Sequence, residues 1–545
     1  MKGSEIVARV LKAEGVEHMT CFPHSALIDS AAALGIRPIM ARTERVAVNI
    51  ADGFSRMNSG ERIGVITVQQ GPGSENAFGA VAQAFGDSSP ILYLPTGYER
   101  GMLGVTPNFE ASRNLRHIVK WGETVIRVDR IAQMMQHAYA LLRAGKPGPV
   151  LLEFPEDLLE EEFVDGRFSY VPPSRMAPEA DPKNVRELVG ALLGAKAPVI
   201  VAGQGVLYAQ AWDELRELAE LLQVPVMSTL NGKSAFPEDH PLALGAGGRT
   251  RPRTVDHFLA KVDLILGIGT SFTRSAYITP MPEGRTIAQV TNDATDIGKD
   301  YPVSFGAIGD AKAVLRQMIE DASRRPGANE RRNDKAPARE VKGVRESFMK
   351  EWMAELTSEE EPISPYRVVW DLMHAVDRRK TVVTHDAGHP RDQFVPFYEP
   401  IVPHGYMGWG KTTQLGTGLG LAMGAKLARP DWMAVNVMGD AAFGMVGMDF
   451  ETAVRCRLPI LTIILNNGMM GGYTGHLPVA SQKYQIHRLS GDYRKVGEAL
   501  GGYTERVEQV RDLKPALARC LKEVALGRPT LLEVITREQN RMAGV

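Results

Sequence analysis

Only three cysteines, Cys21, Cys456 and Cys520, occur in 545 residues. They are odd in number and far apart, which speaks against a disulfide framework or a cysteine zinc cluster and suits reduced thiols in the cytosol. No apolar run reaches the roughly eighteen residues that a membrane span needs. The N-terminus, "MKGSEIVARVLKAEGVEH", has the spacing of an amphipathic helix rather than the apolar core of a secretory leader. Charge of one sign is also lacking: 63 basic residues face 64 acidic ones, for a net charge of -1. That balance offers no electrostatic footprint for nucleic acid or an anionic membrane. Short-period repeats and low-complexity tracts are absent. The 44% hydrophobic and 23% charged content that remains is that of an ordinary globular chain. Its length exceeds what one core can fill and points to three or four domains.

Three segments of similar size follow from the patterning. Residues 1–165 alternate helical spacing, as in "ERVAVNIADGFSRM" and "AQMMQHAYALLRA", with the short apolar runs "RIGVITVQ", "PILYLPTG" and "PVLLEFP". The proline-rich "YVPPSRMAPEADP" reads as a linker. A second unit, 185–322, has candidate strands "PVIVAG", "PVMSTL", "LILGIG" and "TIAQVT". The charged stretch "RRPGANERRNDKAPARE" reads as a second, exposed linker. The third unit, 356–545, carries "TVVTHD", "MAVNVMGD", "ILTIILNN" and "TLLEVIT". The pattern predicts three doubly wound parallel α/β domains in series, which bind ligands at the carboxyl ends of their strands.

Two of those strand ends carry oxygen ligands. "MAVNVM" runs into Gly439-Asp440-Ala441, and "ILTIIL" runs into Asn466-Asn467-Gly468. "GMDFETAVRC" between them has helix-like spacing, so the unit is one strand–helix–strand crossover whose strands can be neighbours. Taken singly, Asp440 is a helix cap and Asn467-Gly468 a turn. Taken together, a carboxylate and an amide oxygen at adjacent strand ends suit magnesium shared with phosphate oxygens. Small residues at Ala441, Ala442 and Gly444 let backbone amides approach an anion. The pair therefore asks for a diphosphate and a magnesium ion.

The segment from Gly439-Asp440-Ala441 to Asn466-Asn467 resembles the diphosphate–magnesium motif of thiamine-diphosphate-dependent enzymes, with alanine where glycine is usual. The resemblance covers nearly the whole chain and is strongest to the acetolactate synthase group, with oxalyl-CoA decarboxylase and 2-hydroxyacyl-CoA lyase nearby. It implies a pyrimidine-binding, a middle and a diphosphate-binding domain in that order, with thiamine diphosphate and Mg2+ as cofactors. By resemblance, Asp440, Asn467 and the carbonyl of Met469 hold the metal, and Gly439, Ala441 and Ala442 lie against the diphosphate. Glu44, opening the helix of "ARTERVAVNIADGFSR", is the acid facing the pyrimidine ring; its bland alternative is a solvated glutamate at a helix start. "KTTQLGTGLGLAMGAKLARP" supplies the carbonyl of Thr413 for the 4′-amino group and Leu415 as the wedge that bends the cofactor, although a leucine is more often plain core. In "THDAGHP", Gly388 and His389 lie near the diphosphate, with His389 either a donor to phosphate or a loop histidine without contact. Gly71, Pro72 and Gly73 in "QQGPGSEN" shape the floor of the pyrimidine site.

Substrate choice rests on loops where the family pattern gives out. In "CFPHSALID", His24 is either a proton relay or a surface histidine. In "TPNFEASRN", Phe109 is expected beside the substrate, and Glu110 stands where acetolactate synthases have glutamine. The loop that grips flavin in those enzymes here reads "GTSFTRSAY", with Thr273 and Arg274 in place of paired aspartates. "GMMGGYTGHLP" lacks their glutamine–tryptophan pattern for a second 2-oxo acid. Arg537 and Arg541 are either phosphate contacts or surface arginines. The resemblance implies a C–C lyase or carboligase acting on a small 2-oxo acid, as a homodimer or dimer of dimers. The alternatives are an acyl-CoA substrate, a flavin-dependent oxidase on this scaffold and a non-catalytic assembly protein.

Overall fold

The computed structural model describes residues 1–164, 168–472 and 475–544. Residues 165 and 545, which bound two of the expected domains, and residues 473–474 of "GMMGGYTGHLP" lie outside that range. Three parallel sheets account for the architecture. The first holds β1 (His18–Phe22), β2 (Arg37–Met40), β3 (Gly64–Val68), β4 (Ile91–Tyr93), β5 (Thr96–Gly97), β6 (Trp121–Thr124) and β7 (Val150–Pro155). The second holds β8 (Pro198–Ala202), β9 (Val226–Thr229), β10 (Ala243–Gly247), β11 (Leu264–Ile268), β12 (Thr286–Thr291) and β13 (Phe305–Ile308). The third holds β14 (Thr381–His385), β15 (Tyr406–Met407), β16 (Met433–Gly439), β17 (Leu461–Asn466), β18 (Tyr503–Val507) and β19 (Thr530–Ile535). The central strands β3, β8, β11, β14 and β17 are buried along their whole length, which is why they read as continuous apolar runs rather than alternating ones.

Strand order fixes where ligands can sit. The middle sheet runs β10-β9-β8-β11-β12-β13, the dinucleotide-fold order with its reversal between β8 and β11. The outer two share a different beginning: β2-β1-β3-β4 in the first and β15-β14-β16-β17 in the third. In both, the winding direction reverses between the first strand and its inner neighbour, leaving a crevice at their carboxyl ends. The loop after β1 holds His24 and that after β14 holds Gly388, while Gly71–Gly73 and Asp440 sit at the starts of the helices that follow β3 and β16.

The first and third domains meet along two helices, Glu44–Met57 and Thr417–Ala428. Glycines let them approach to backbone contact. A Cβ on Gly53 would collide with the Leu421 carbonyl, and one on Gly424 with the Ile50 carbonyl. The middle domain is tied to the third by Lys233, fully buried, whose ammonium binds both oxygens of Glu238 at 2.6 and 2.7 Å and the carbonyl of Val395 at 3.1 Å.

The charged stretch between the second and third domains is largely exposed, as expected of a linker, but it is helical rather than irregular. Pro326–Asn333 and Ala336–Leu356 are helices, each with a proline in its first turn, where the missing N–H costs nothing. Val341, Phe348, Trp352 and Leu356 form a buried stripe at helical spacing, so the charges are the wet face of a packed helix. The crossover between β16 and β17 is also less regular than its spacing suggests. It is a helix, Asp440–Val446, a 3-10 turn, Gly447–Asp449, and a second helix, Phe450–Arg455. No helix among the described residues is long and apolar enough to cross a membrane.

Candidate active site

β16 and β17 are direct neighbours, with Gly439 level with Leu465, so Asp440 and Asn467 emerge side by side at the carboxyl edge. A cavity of about 290 Å³ opens there. Its wall contains Gly388, His389, Thr413, Leu415, Gly439, Asp440, Ala441, Ala442, Asn467 and Met469, to which the resemblance gives cofactor or metal roles, whereas Gly444 and Arg541 lie outside it. Asp440 is buried and accepts from the amides of Ala441 at 2.8 Å and Gly468 at 2.9 Å. Burial pushes its pKa up, against those donors. The Asn467 side chain accepts from the Met469 amide at 3.0 Å, which fixes its oxygen toward the chain turn after β17.

Thr413 and Leu415 lie on a loop held from both sides. Thr413 has φ 55, the left-handed conformation that a β-branched residue adopts only under constraint. Gln83 of the Pro72–Gly86 helix accepts from the Thr412 hydroxyl at 2.7 Å and the Gln414 amide at 3.1 Å. Asp87 accepts from the amides of Gly410 at 3.2 Å and Lys411 at 3.1 Å. On the other side, Asp386 is fully buried and accepts from the amides of Ala387 and Gly416, both at 2.8 Å, and Gly418 at 3.0 Å. The motif reading passed over Asp386, although a strand-end aspartate ahead of a glycine-rich helix start was a usable signal.

His389 has a buried Nδ1 with no partner among the described residues, and burial lowers its pKa. Gly471 makes room for its ring, since a Cβ there would come within 2.6 Å of Nδ1. A cluster of three or more His, Cys, Asp or Glu suited to a metal is absent among the described residues. The oxygen donors at this edge are one carboxylate, one amide and backbone carbonyls, a set that fits a hard cation completing its shell with phosphate oxygens. The donor chemistry and the orphaned imidazole nitrogen are consistent with a diphosphate and magnesium.

Arginines at the cavity escaped the motif reading except for Arg537. Arg249, Arg391 and Arg537 all line it. Arg391 is buried, lies over the Tyr277 ring at 5.1 Å, donates to Asp392 at 2.7 Å and leaves Nη1 without a partner among the described residues. Arg537 is paired with Glu355 at 2.7 Å and Arg541 with Glu351 at 3.0 Å, so both have protein partners.

Among the described residues, none of the first domain lines that wall: His24, Glu44 and Gly71–Gly73 lie outside it. Glu44 is the first residue of its helix, buried, with Thr43 as the N-cap and the Asn76 amide at 3.3 Å from its carboxylate. Burial raises its pKa. Next to it, Arg45 donates to the carbonyl of Leu415. Gly71 has φ 56 and packs against the Tyr98 hydroxyl, Pro72 opens the following helix, and Gly73 is buried in its first turn. His24 is exposed, whereas Ser25 beside it is buried and caps the next helix. Glu110 is not free to meet a substrate. It is buried, accepts from the Gly104 amide at 2.7 Å and pairs with Arg113 at 3.1 Å, closing its own loop. Phe109 packs partly against the first domain's core.

A second cavity, of about 130 Å³, sits at the reversal between β8 and β11 and is lined by Gly203, Gly269, Thr270–Thr273 and Lys411. Thr273 is on its wall, while Arg274 turns away to lie over the Tyr301 ring at 4.4 Å.

Three parallel-sheet domains with the same winding in the first and third define a modular α/β enzyme. Its segments match, in order, the family profiles of the thiamine pyrophosphate enzyme N-terminal TPP binding domain (residues 1–121), central domain (185–318) and C-terminal TPP binding domain (386–534). The chain belongs to the thiamine pyrophosphate enzymes. It is 27% identical over 544 residues to a probable acetolactate synthase large subunit of Methanococcus aeolicus, covering 96% of this chain and 90% of the relative. It is 28% identical over 558 residues to the acetolactate synthase isozyme 3 large subunit of Escherichia coli K12, covering 98% and 94%. A glyoxylate carboligase of Escherichia coli O157:H7 is 27% identical over 569 residues, covering 98% and 93%. End-to-end coverage carries the domain order across, and identity this low leaves the substrate open.

Proposed function

We propose that this protein is a magnesium- and thiamine-diphosphate-dependent carboligase or lyase that acts on a small 2-oxo acid, in the manner of an acetolactate synthase. The observation that carries the reading is the convergence of the ten residues to which the resemblance gives cofactor or metal roles, from four segments of the chain, on one cavity at the carboxyl ends of β14, β16 and β17. Asp440, Asn467 and the Met469 carbonyl would hold the cation. Gly388, His389, Gly439, Ala441 and Ala442 would surround the diphosphate. The Thr413 carbonyl and the Leu415 side chain would fix the bend of the cofactor. When bound, thiamine diphosphate supplies a nucleophilic carbon and an electron sink for cleavage beside a carbonyl. The protein's own part is to orient, to exclude water and to hold a proton on the Glu44 carboxyl, which its burial favours. Arg249 and Arg391 on the cavity wall supply positive charge that suits a carboxylate substrate. His24, exposed in this protomer, would act only if a second copy closes over it.

Curated relatives that are acetolactate synthases and a glyoxylate carboligase favour free 2-oxo acids over acyl-CoA thioesters. The test is a panel of 2-oxo acids and CoA thioesters, incubated with thiamine diphosphate and Mg2+, with products identified by mass spectrometry. Turnover confined to thioesters would overturn the substrate class. Turnover of neither, with no cofactor bound, would overturn the enzyme reading.

A further inference from the structure

The chain leading into Glu44 is clamped by the third domain. Asp449, the last residue of the 3-10 turn in the β16–β17 crossover, is fully buried and reaches across the domain boundary. Its carboxylate accepts from the Arg42 amide at 2.7 Å and the Thr43 hydroxyl at 2.8 Å, and the Thr452 hydroxyl braces it at 2.9 Å. Arg455 adds a bond to the Met40 carbonyl at 2.6 Å, and Arg42 pairs with Glu451 at 3.5 Å. Three donors point at the Asp449 carboxyl and favour its charged form, while its burial pushes the pKa up against them. A carboxylate sunk at a domain boundary is costly unless its bonds do something that an apolar residue could not. Here two of its three bonds go to the residues immediately before Glu44.

We propose that Asp449 is a positioning residue for Glu44: it fixes the first turn of the Glu44–Met57 helix, and so the place and protonation of the Glu44 carboxyl. The proposal rests on the catalytic reading of Glu44 given above. The break in the crossover is explained by it. A continuous helix after Asp440 would carry residue 449 along its axis, and the 3-10 turn at Gly447–Asp449 instead delivers the side chain to Arg42 and Thr43. The groups facing Glu44 are few. Asn76 donates to it from the Pro72–Gly86 helix, Tyr93 at the end of β4 is close enough to feel its charge, and Arg42 and Arg45 flank it in sequence. From the third domain, Asp449 contributes negative charge. Burial comes first in keeping the Glu44 proton on, and the charge of Asp449 acts in the same direction.

Asp449→Asn keeps the shape and removes the charge, since a rotated Thr43 hydroxyl can accept from the new amide. Thr43→Val keeps the charge but removes both the bond to Asp449 and the N-cap bond from the Val46 amide, and Thr43→Ser restores both. Thiamine diphosphate affinity is measured first by calorimetry. A wild-type protein that binds none sinks the functional reading, whereas the inference stands or falls on the variants of a binding protein. With affinity and KM near wild type, kcat is expected to fall about tenfold to a hundredfold in Asp449→Asn and Thr43→Val, the scale of a misplaced catalytic group, and to recover in Thr43→Ser. Independently of activity, the Glu44 carboxyl is followed in cofactor-free protein by carbon-13 NMR of glutamate labelled at the side-chain carboxyl, its resonance assigned by loss in Glu44→Gln. In Asp449→Asn it is expected to titrate at lower pH than in wild type. An unmoved titration overturns the proposal even if activity drops, because a merely structural role would leave it in place. If Asp449→Asn fails to fold, wild-type kcat in Thr43→Val overturns it alone.

Discussion

At the scale of single residues, the site divides into groups that hold and one that reacts. Asp440→Ala removes the one carboxylate that the described residues place at the β16–β17 edge of the cavity, which in the proposed reading would hold the cation that bridges to the diphosphate. Calorimetry should then show magnesium-dependent binding of thiamine diphosphate lost, while the free chain stays folded. Glu44→Gln is expected to behave oppositely: an amide still bonds a ring nitrogen but has no acidic proton to give. Cofactor affinity should persist while proton exchange at the reactive carbon of the cofactor, followed by proton NMR, slows by about a hundredfold or more. The raised pKa of Glu44 also sets a sign for pH. The native carboxyl keeps its proton at pH values where the unfolded chain has lost it, so activity that needs that proton falls as pH rises through the elevated value. Stability falls with it, because the native state binds more protons than the unfolded state over that window. A pH–rate profile of kcat/KM with no alkaline fall would contradict this. These residues were legible because each sits at a strand end or helix start in a recognisable motif. Asp449 was not, since its partners Arg42 and Thr43 lie some 400 positions away and only the packing of domains brings them together.

At the scale of elements, strands were easier to read than their surroundings. Buried parallel strands announce themselves as unbroken apolar runs, as "ILTIIL" does. β2, β6, β13, β15 and β18 are short or half-wet and passed unmarked, as did β1 and β10, and the Ala336–Leu356 helix hid behind its charges until its apolar stripe could be set against a partner. The close contact between the Glu44–Met57 and Thr417–Ala428 helices makes a strong demand that the glycine spacing only hinted at. Gly424→Ala places a methyl group on the Ile50 carbonyl, and neither backbone can retreat without moving a helix start that serves the cavity. Overpacking of this kind costs about 1–3 kcal/mol, and urea unfolding should show a lower midpoint with little change in slope. The Lys233–Glu238 pair at the joint of the middle and third domains is a sharper case. Lys233→Met leaves Glu238 buried without its cation, a loss of about 3–5 kcal/mol. Replacing both residues with apolar ones should recover much of it, and a double-mutant cycle in urea would measure the difference.

At the scale of the whole molecule, one protomer does not gather both halves of the chemistry. Asp440 and its nine companions line one cavity, and Glu44, His24 and Gly71–Gly73 stand outside it. Large apolar side chains lie exposed on the two elements that carry the halves: Phe78 and Phe85 at 41% on the Pro72–Gly86 helix, Met445 at 54% and Met448 at 51% on the crossover. Such side chains suit burial against another copy of the chain. We propose that a two-fold pair of chains builds two sites, each joining the first domain of one copy to the third domain of the other. Glu44→Gln and Asp440→Ala would then be inactive alone for different reasons. In a mixed dimer, one site carries both defects and the other carries neither. Chains of the two variants are dissociated by dilution, mixed and reassembled, with heterodimers verified through distinct affinity tags. A mixed dimer should recover about half the activity of a wild-type dimer treated in the same way, since one of two equivalent sites is intact. Verified heterodimers that stay inactive while wild-type controls recover would place Glu44 and Asp440 in the same chain's site, and the two-copy arrangement would be wrong.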